Sequence, residues 1–322
     1  MRSTATIVVA IAAQLALCGT GALGHDLRGL LAEQTALDPE AREKIEELRE
    51  LKRFLAARSA AMRDRALEAV VQTATTWPEA RASVCFFDGS KEARDHVAEI
   101  AAKWTTTTSL QLDFGETGNR RTCDPLQPNE IRVSFQAPGH WSYVGTQSKL
   151  ISPDKPTLNL HGMDRADFTD QDDGIILHEF GHAIGFEHEH QSPIGGCDAQ
   201  FNWDYLYTSL GWSKADVDRN MKQLNTSSSA TGLLTTSFDP KSIMLYSLDP
   251  RAFLDAAHAS CYVAGRNTSI SSVDRKAAET VYPSLATLQP PGSLRTPIDP
   301  GQVPRELRRL QELIGGPSAA PR

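Results

Sequence analysis

The spacing of apolar and polar residues changes character several times along the chain, and each change marks a part of it. An apolar run from Thr6 to Leu17 follows Arg2 and leads into the small residues of 19–24. It is too short to span a bilayer, and its charged start, apolar centre and small-residue end predict a secretory signal over 1–24. Cys18 offers the alternative of a lipoprotein signal, against which the bulky Leu17 stands. Residues 25–76 are helical in pattern: Ile45, Leu48, Leu51 and Leu55 recur at three and four within a segment rich in Ala, Leu, Glu and Arg. Two readings of that segment stay open, a propeptide and an N-terminal extension packed on the main domain or on another chain.

From Ala82 the period becomes mixed. Strands are predicted at 83–87, 110–114, 130–135 and 157–160, with a helix over 91–104 and turn clusters of Gly, Asn and Pro between them. A helix over 172–184 follows, then a lobe of loops with helices near 203–210, 214–224 and 273–281, closed by Pro283. Residues 284–322 carry Pro290, Pro291, Pro297, Pro300 and Pro304 and read as a flexible tail with one short amphipathic stretch at 306–314.

Composition narrows the class. The chain has 322 residues, 40% hydrophobic and 23% charged, with a net charge of -7. That balance is globular and argues against nucleic acid as a partner. The acidity is concentrated in residues 77–283, which hold 18 basic and 27 acidic side chains, and such a field favours neutral or basic partners. Beyond the signal there remain Cys85, Cys123, Cys197 and Cys261, an even number suited to an oxidising, secreted location, extracellular or periplasmic. The pairs Cys85–Cys123 and Cys197–Cys261 are favoured, because each then lies on one side of the histidine motif.

Four of the nine histidines fall between positions 178 and 190. On a helix, residues four apart share a face, so His178 and His182 point the same way. Gly185 permits the positive φ at which a helix ends, and the reversed chain returns His188 as a third nitrogen. Three neutral imidazoles suit one Zn²⁺ and leave a coordination position for water. Glu179, beside the first ligand, is placed to take that water's proton as it attacks an amide or ester carbonyl. Protein or peptide substrates are the expected case.

His178-Glu-x-x-His182-x-x-Gly185-x-x-His188 is the metzincin zinc signature, and Gly185-Phe-Glu-His-Glu189 resembles its astacin version. Ser242-Ile-Met-Leu-Tyr246 is similar to the astacin Met-turn, with Leu245 where His is usual. The resemblance covers residues 77–283, the expected catalytic domain. It implies an α+β, two-lobed zinc peptidase with an N-terminal twisted mixed sheet, two long helices and a loop-rich C-terminal lobe. It also implies Met244 as a hydrophobic floor under the metal and Tyr246 as an additional zinc ligand that swings away to stabilise the tetrahedral intermediate. Glu189 would meet the amino terminus of a matured chain, and Pro156–Leu160 would be an edge strand that aligns substrate.

Other features have competing explanations. Asp164, Asp167, Asp170, Asp172 and Asp173 could bind Ca²⁺, although helix N-terminal charge explains them as well. Asn225 and Asn267 begin glycosylation sequons. A protease-like binding or adhesion module without turnover, or a hydrolase of non-peptide esters, are the competing functions. No segment beyond the signal is apolar enough to suggest a membrane span, and the oligomeric state is not legible.

Overall fold

The computed structural model describes residues 71–72, 75–224, 233–234 and 238–284. The signal at 1–24, the helical segment as far as residue 70, the Asn225 sequon and the tail after residue 284 lie outside the described residues. A short β1 (Val71–Gln72) pairs antiparallel with Leu233–Leu234. β2 (Arg81–Phe86) leads through a Ser90 cap into α1 (Lys91–Ala101), which tightens into a 3₁₀ turn ending at Thr105. β3 (Gln111–Asp113) and the hairpin β4 (Gly115–Glu116)–β5 (Asn119–Arg120) follow, then β6 (Ile131–Ser134), β7 (His140–Ser142) and β8 (Leu158–Leu160).

Five strands form one sheet in the order β3-β2-β6-β8-β7, parallel except for the antiparallel edge β7. Val84, Phe86, Ile131, Val133, Leu158 and Leu160 are buried against a layer that includes Val97, Ile176 and Phe180. This mixed sheet with two packed helices is the expected N-terminal lobe. One expectation is corrected. Pro156–Leu160 is not an edge: β8 lies between β6 and β7, and its three residues are buried. Its two leucines fill the core, and the buried amide of Asn159 donates to the carbonyls of Ala137 and Gly139, pinning the turn into β7. The true edge, His-Trp-Ser, is too short to announce itself by alternation.

The second long helix is α2 (Asp170–Ala183). Its start is a capping box in which Thr169 Oγ1 accepts from the Asp172 amide and the Asp172 carboxylate accepts from the Thr169 amide at 2.7 Å. Every residue from Gly174 to Ala183 is buried. The helix ends at Gly185, φ 110°, with the Phe186 amide donating back to Gly181 O at 3.0 Å, a closure that needs the left-handed region. The last carbonyls, which a helix leaves without an internal partner, accept from Trp77 Nε1 (Ala183 O, 2.9 Å) and the Tyr282 hydroxyl (Ile184 O, 2.7 Å).

Beyond Phe186 the chain builds its second lobe from α3 (Trp203–Ser209), α4 (Lys214–Met221) and loops, around a separate core that includes Phe201, Leu206, Val217, Met221 and Phe253. α5 (Ser272–Val281) returns to the first core through Ala277 and Ala278. The disulfides are Cys85–Cys123 and Cys197–Cys261, one in each lobe, as expected. Among the described residues no helix is long and apolar enough to cross a membrane.

Candidate metal centre

α2 and the turn after it bring the three predicted histidines together. His178 and His182 project from one face of the helix, and Gly185 reverses the chain so that His188 returns beside them. A ligand nitrogen from each lies within 4.8 Å of the other two, and His182 Nε2 is 3.0 Å from His188 Nε2. Among the described residues this is the one such cluster of His, Cys, Asp or Glu.

Each ring is oriented through its other nitrogen. Nδ1 of His178 donates to Ile243 O at 2.8 Å, Nδ1 of His182 to Phe186 O at 2.7 Å, and Nδ1 of His188 to Gln191 Oε1 at 3.3 Å. Those acceptors place the proton on Nδ1 and turn a lone pair on Nε2 toward the cluster. Two nitrogens bound tetrahedrally to zinc at about 2.0–2.1 Å sit roughly 3.3 Å apart. The His182–His188 spacing is close to that value, and the triad fits a zinc site.

Glu179, 1% exposed, lies on the same helix next to His178. Met244 underlies α2: a Cβ on Gly181 would press into its sulfur and sit 3.1 Å from Trp104. Tyr246, also 1% exposed, tilts its ring over His188 with centroids 4.0 Å apart, and lies 5.8 Å from His178. Met244 belongs to the first core and Tyr246 to the second, so the border between the lobes passes between them.

The loop carrying both is clamped from several sides. Asp274, fully buried at the start of α5, accepts from Ser242 Oγ at 2.7 Å and from the Ile243 amide at 2.9 Å. Burial pushes its carboxyl up, against those donors. Asn267 gives its side-chain amide to Pro240 O and Ser242 O, so this sequon nitrogen is engaged in holding the turn. The Glu189 amide donates to Met244 O, and Glu189 Oε1 accepts from the Asp239 amide at 2.8 Å. Burial pushes the Glu189 carboxyl up to about 8.

The sequence did not point to Asp274 or Gln191, and it marked Asn267 only as a sequon. Ser271-x-x-Asp274 is visible as a capping box, but nothing local shows that its carboxylate also reaches Ser242. The aspartates of 164–173, three of them in the first turn of α2, do not converge into a calcium site. Asp164 caps the Ser90 amide, Asp172 pairs with Arg165, and Asp173 meets His96 at 2.7 Å and Lys103 at 3.6 Å.

Three imidazoles that could hold a metal ion, an adjacent buried glutamate, a methionine packed beneath the helix and a tyrosine over His188 make up a candidate metal site. Residues 69–282 match the model of the astacin family, peptidase family M12A, and the chain belongs to that family. It is 25% identical over 182 residues to the "Zinc metalloproteinase nas-2" of Caenorhabditis elegans, a match covering 44% of this chain and 62% of that relative. The structure of myroilysin superposes with a TM-score of 0.55 at 28% identity, covering 67% of this chain and 99% of that one.

Proposed function

We propose that this protein is a secreted zinc endopeptidase in which His178, His182 and His188 hold one ion and Glu179 is the general base. The convergence of the three Nε2 atoms, each ring fixed through Nδ1, carries the reading. When bound, zinc supplies a Lewis acid and makes water acidic enough to be used near neutral pH. Glu179 takes the proton from the attacking water as its oxygen joins the scissile carbonyl carbon. It then passes that proton to the leaving nitrogen as the C–N bond breaks. Tyr246, whose ring covers His188, would offer its hydroxyl as a further ligand to the ion and as a hydrogen-bond donor to the oxyanion.

Substrate alignment falls to β7. This antiparallel edge strand packs along α2, and an extended peptide adds to a strand edge through main-chain hydrogen bonds with little demand on its side chains. The acidic balance of residues 77–283 favours neutral or basic peptides. The two disulfides support a secreted location.

The test is Glu179→Gln. We expect it to retain one zinc per chain while kcat/KM on an unfolded protein substrate falls by roughly 10²–10⁴-fold. A zinc-loaded variant that cleaves as fast as the wild type overturns the mechanism.

A further inference from the structure

The two residues after the third histidine's neighbour, His190 and Gln191, are buried, and the reaction described above uses neither. Both reach the same place, the C-terminal end of α4. An α-helix leaves its last carbonyls without partners of its own. Here Gln191 Nε2 donates to Arg219 O at 2.9 Å and to Lys222 O at 3.1 Å, and His190 Nε2 donates to Asn220 O at 2.9 Å. The Leu224 amide closes the contact on Gln191 O at 2.9 Å.

Because carbonyls only accept, the two bonds to α4 fix which end of the Gln191 amide carries the nitrogen. The oxygen end then faces His188 and accepts from Nδ1 at 3.3 Å. His178 and His182 differ in this respect. Their Nδ1 protons go to the main-chain carbonyls of Ile243 and Phe186, which no side-chain substitution removes. His188 is the ligand whose orienting acceptor is a side chain, and that side chain is anchored 28 and 31 residues away on a helix of the second lobe.

We propose that Gln191 is a positioning residue that couples zinc binding to α4. One end of its amide holds His188 in the tautomer and rotation that present Nε2 to the ion. The other end carries the C-terminal turn of α4. Filling the metal site thereby orders residues 219–224, and loosening α4 weakens the third ligand. The inference rests on His188 being a zinc ligand.

Three variants of the full chain test it, read by zinc competition against a chromophoric chelator and by hydrogen exchange over 214–224. Gln191→Met keeps the length and loses both hydrogen-bonding ends; its zinc affinity should fall 10–100-fold. Gln191→Glu keeps an acceptor for His188 but cannot donate to α4. It should hold zinc within threefold of the wild type while 219–224 exchanges as fast with zinc as without. In the wild type, removing zinc should speed exchange there several-fold. Wild-type zinc affinity in Gln191→Met overturns the proposal, and so does a loss in Gln191→Glu equal to that in Gln191→Met. His188→Ala separates this failure from a deeper one: unchanged zinc affinity in that variant overturns the metal site itself.

Discussion

The two lobes hold their shares of the metal site by different means. In the first, His178, Glu179 and His182 ride on one buried helix whose start is a capping box and whose last carbonyls are taken by Trp77 and Tyr282. Sheet and helix ladders fix them. In the second, Tyr246 stands on a loop held by Asp274, Asn267 and the Glu189 backbone, and His188 is steadied through Gln191. Individual side chains do there what repetitive backbone bonding does in the first lobe. A ladder spreads its stabilisation over many bonds, each worth about 0.5–1.5 kcal/mol, whereas a clamp fails when one residue is lost. The second lobe should therefore be the place where small changes release the metal.

The disulfides test this most severely. Chain entropy assigns about 4 kcal/mol to either cross-link, because sequence separations of 38 and 64 differ little on a logarithmic scale. Replacing Cys85 and Cys123 with serine should lower the thermal midpoint and leave zinc affinity near that of the wild type. The same replacement at Cys197 and Cys261 should lower both. Equal zinc loss in the two double variants, measured by chelator competition, would break the contrast between the lobes.

A smaller effect sharpens it. Gly181 lies where α2 meets the Met244 side chain, and Gly181→Ala should cost about 1–3 kcal/mol in a urea titration, since the added methyl displaces the sulfur from a filled site. The ladder of α2 itself stays intact. A neutral result would mean that the helix does not lean on the lower loop.

The smallest effect belongs to the cap of α2. Burial raises the Asp172 carboxyl, but the Thr169 hydroxyl and amide and the Arg165 guanidinium more than offset it and hold the group below its ordinary value of 3.8. A carboxylate held down in this way stabilises the fold above its ordinary pKa, and that stabilisation is lost as pH falls through the lowered one. Asp172→Asn should thus cost about 1 kcal/mol near pH 7. Its deficit should shrink as the pH is taken below about 4, and its zinc affinity at about pH 7 should equal that of the wild type. A deficit independent of pH would remove the charged cap from the account.

The same division explains what could be read from the sequence. The histidine cluster was legible because His178 and His182 share a helical face and Gly185 marks the reversal, all within eleven residues. The sheet was largely legible too: β2, β6 and β8 and both long helices fall within a few residues of their predicted bounds. The hairpin β4–β5 was missed as an element, since two residues show no period. Most hidden were the clamps. Asp274 acts on Ser242 across 32 positions, and Gln191 on Lys222 across 31. Such contacts leave no local pattern.

The Cys197–Cys261 bridge has one more consequence. The proposed peptidase activity exposes the molecule to itself, and surface loops are where nicking concentrates. Met244 and Tyr246 both lie between the two bridged cysteines. A single cut anywhere in that interval leaves both fragments covalently attached, so a self-nicked molecule keeps its floor and its tyrosine in one piece until a reductant separates them.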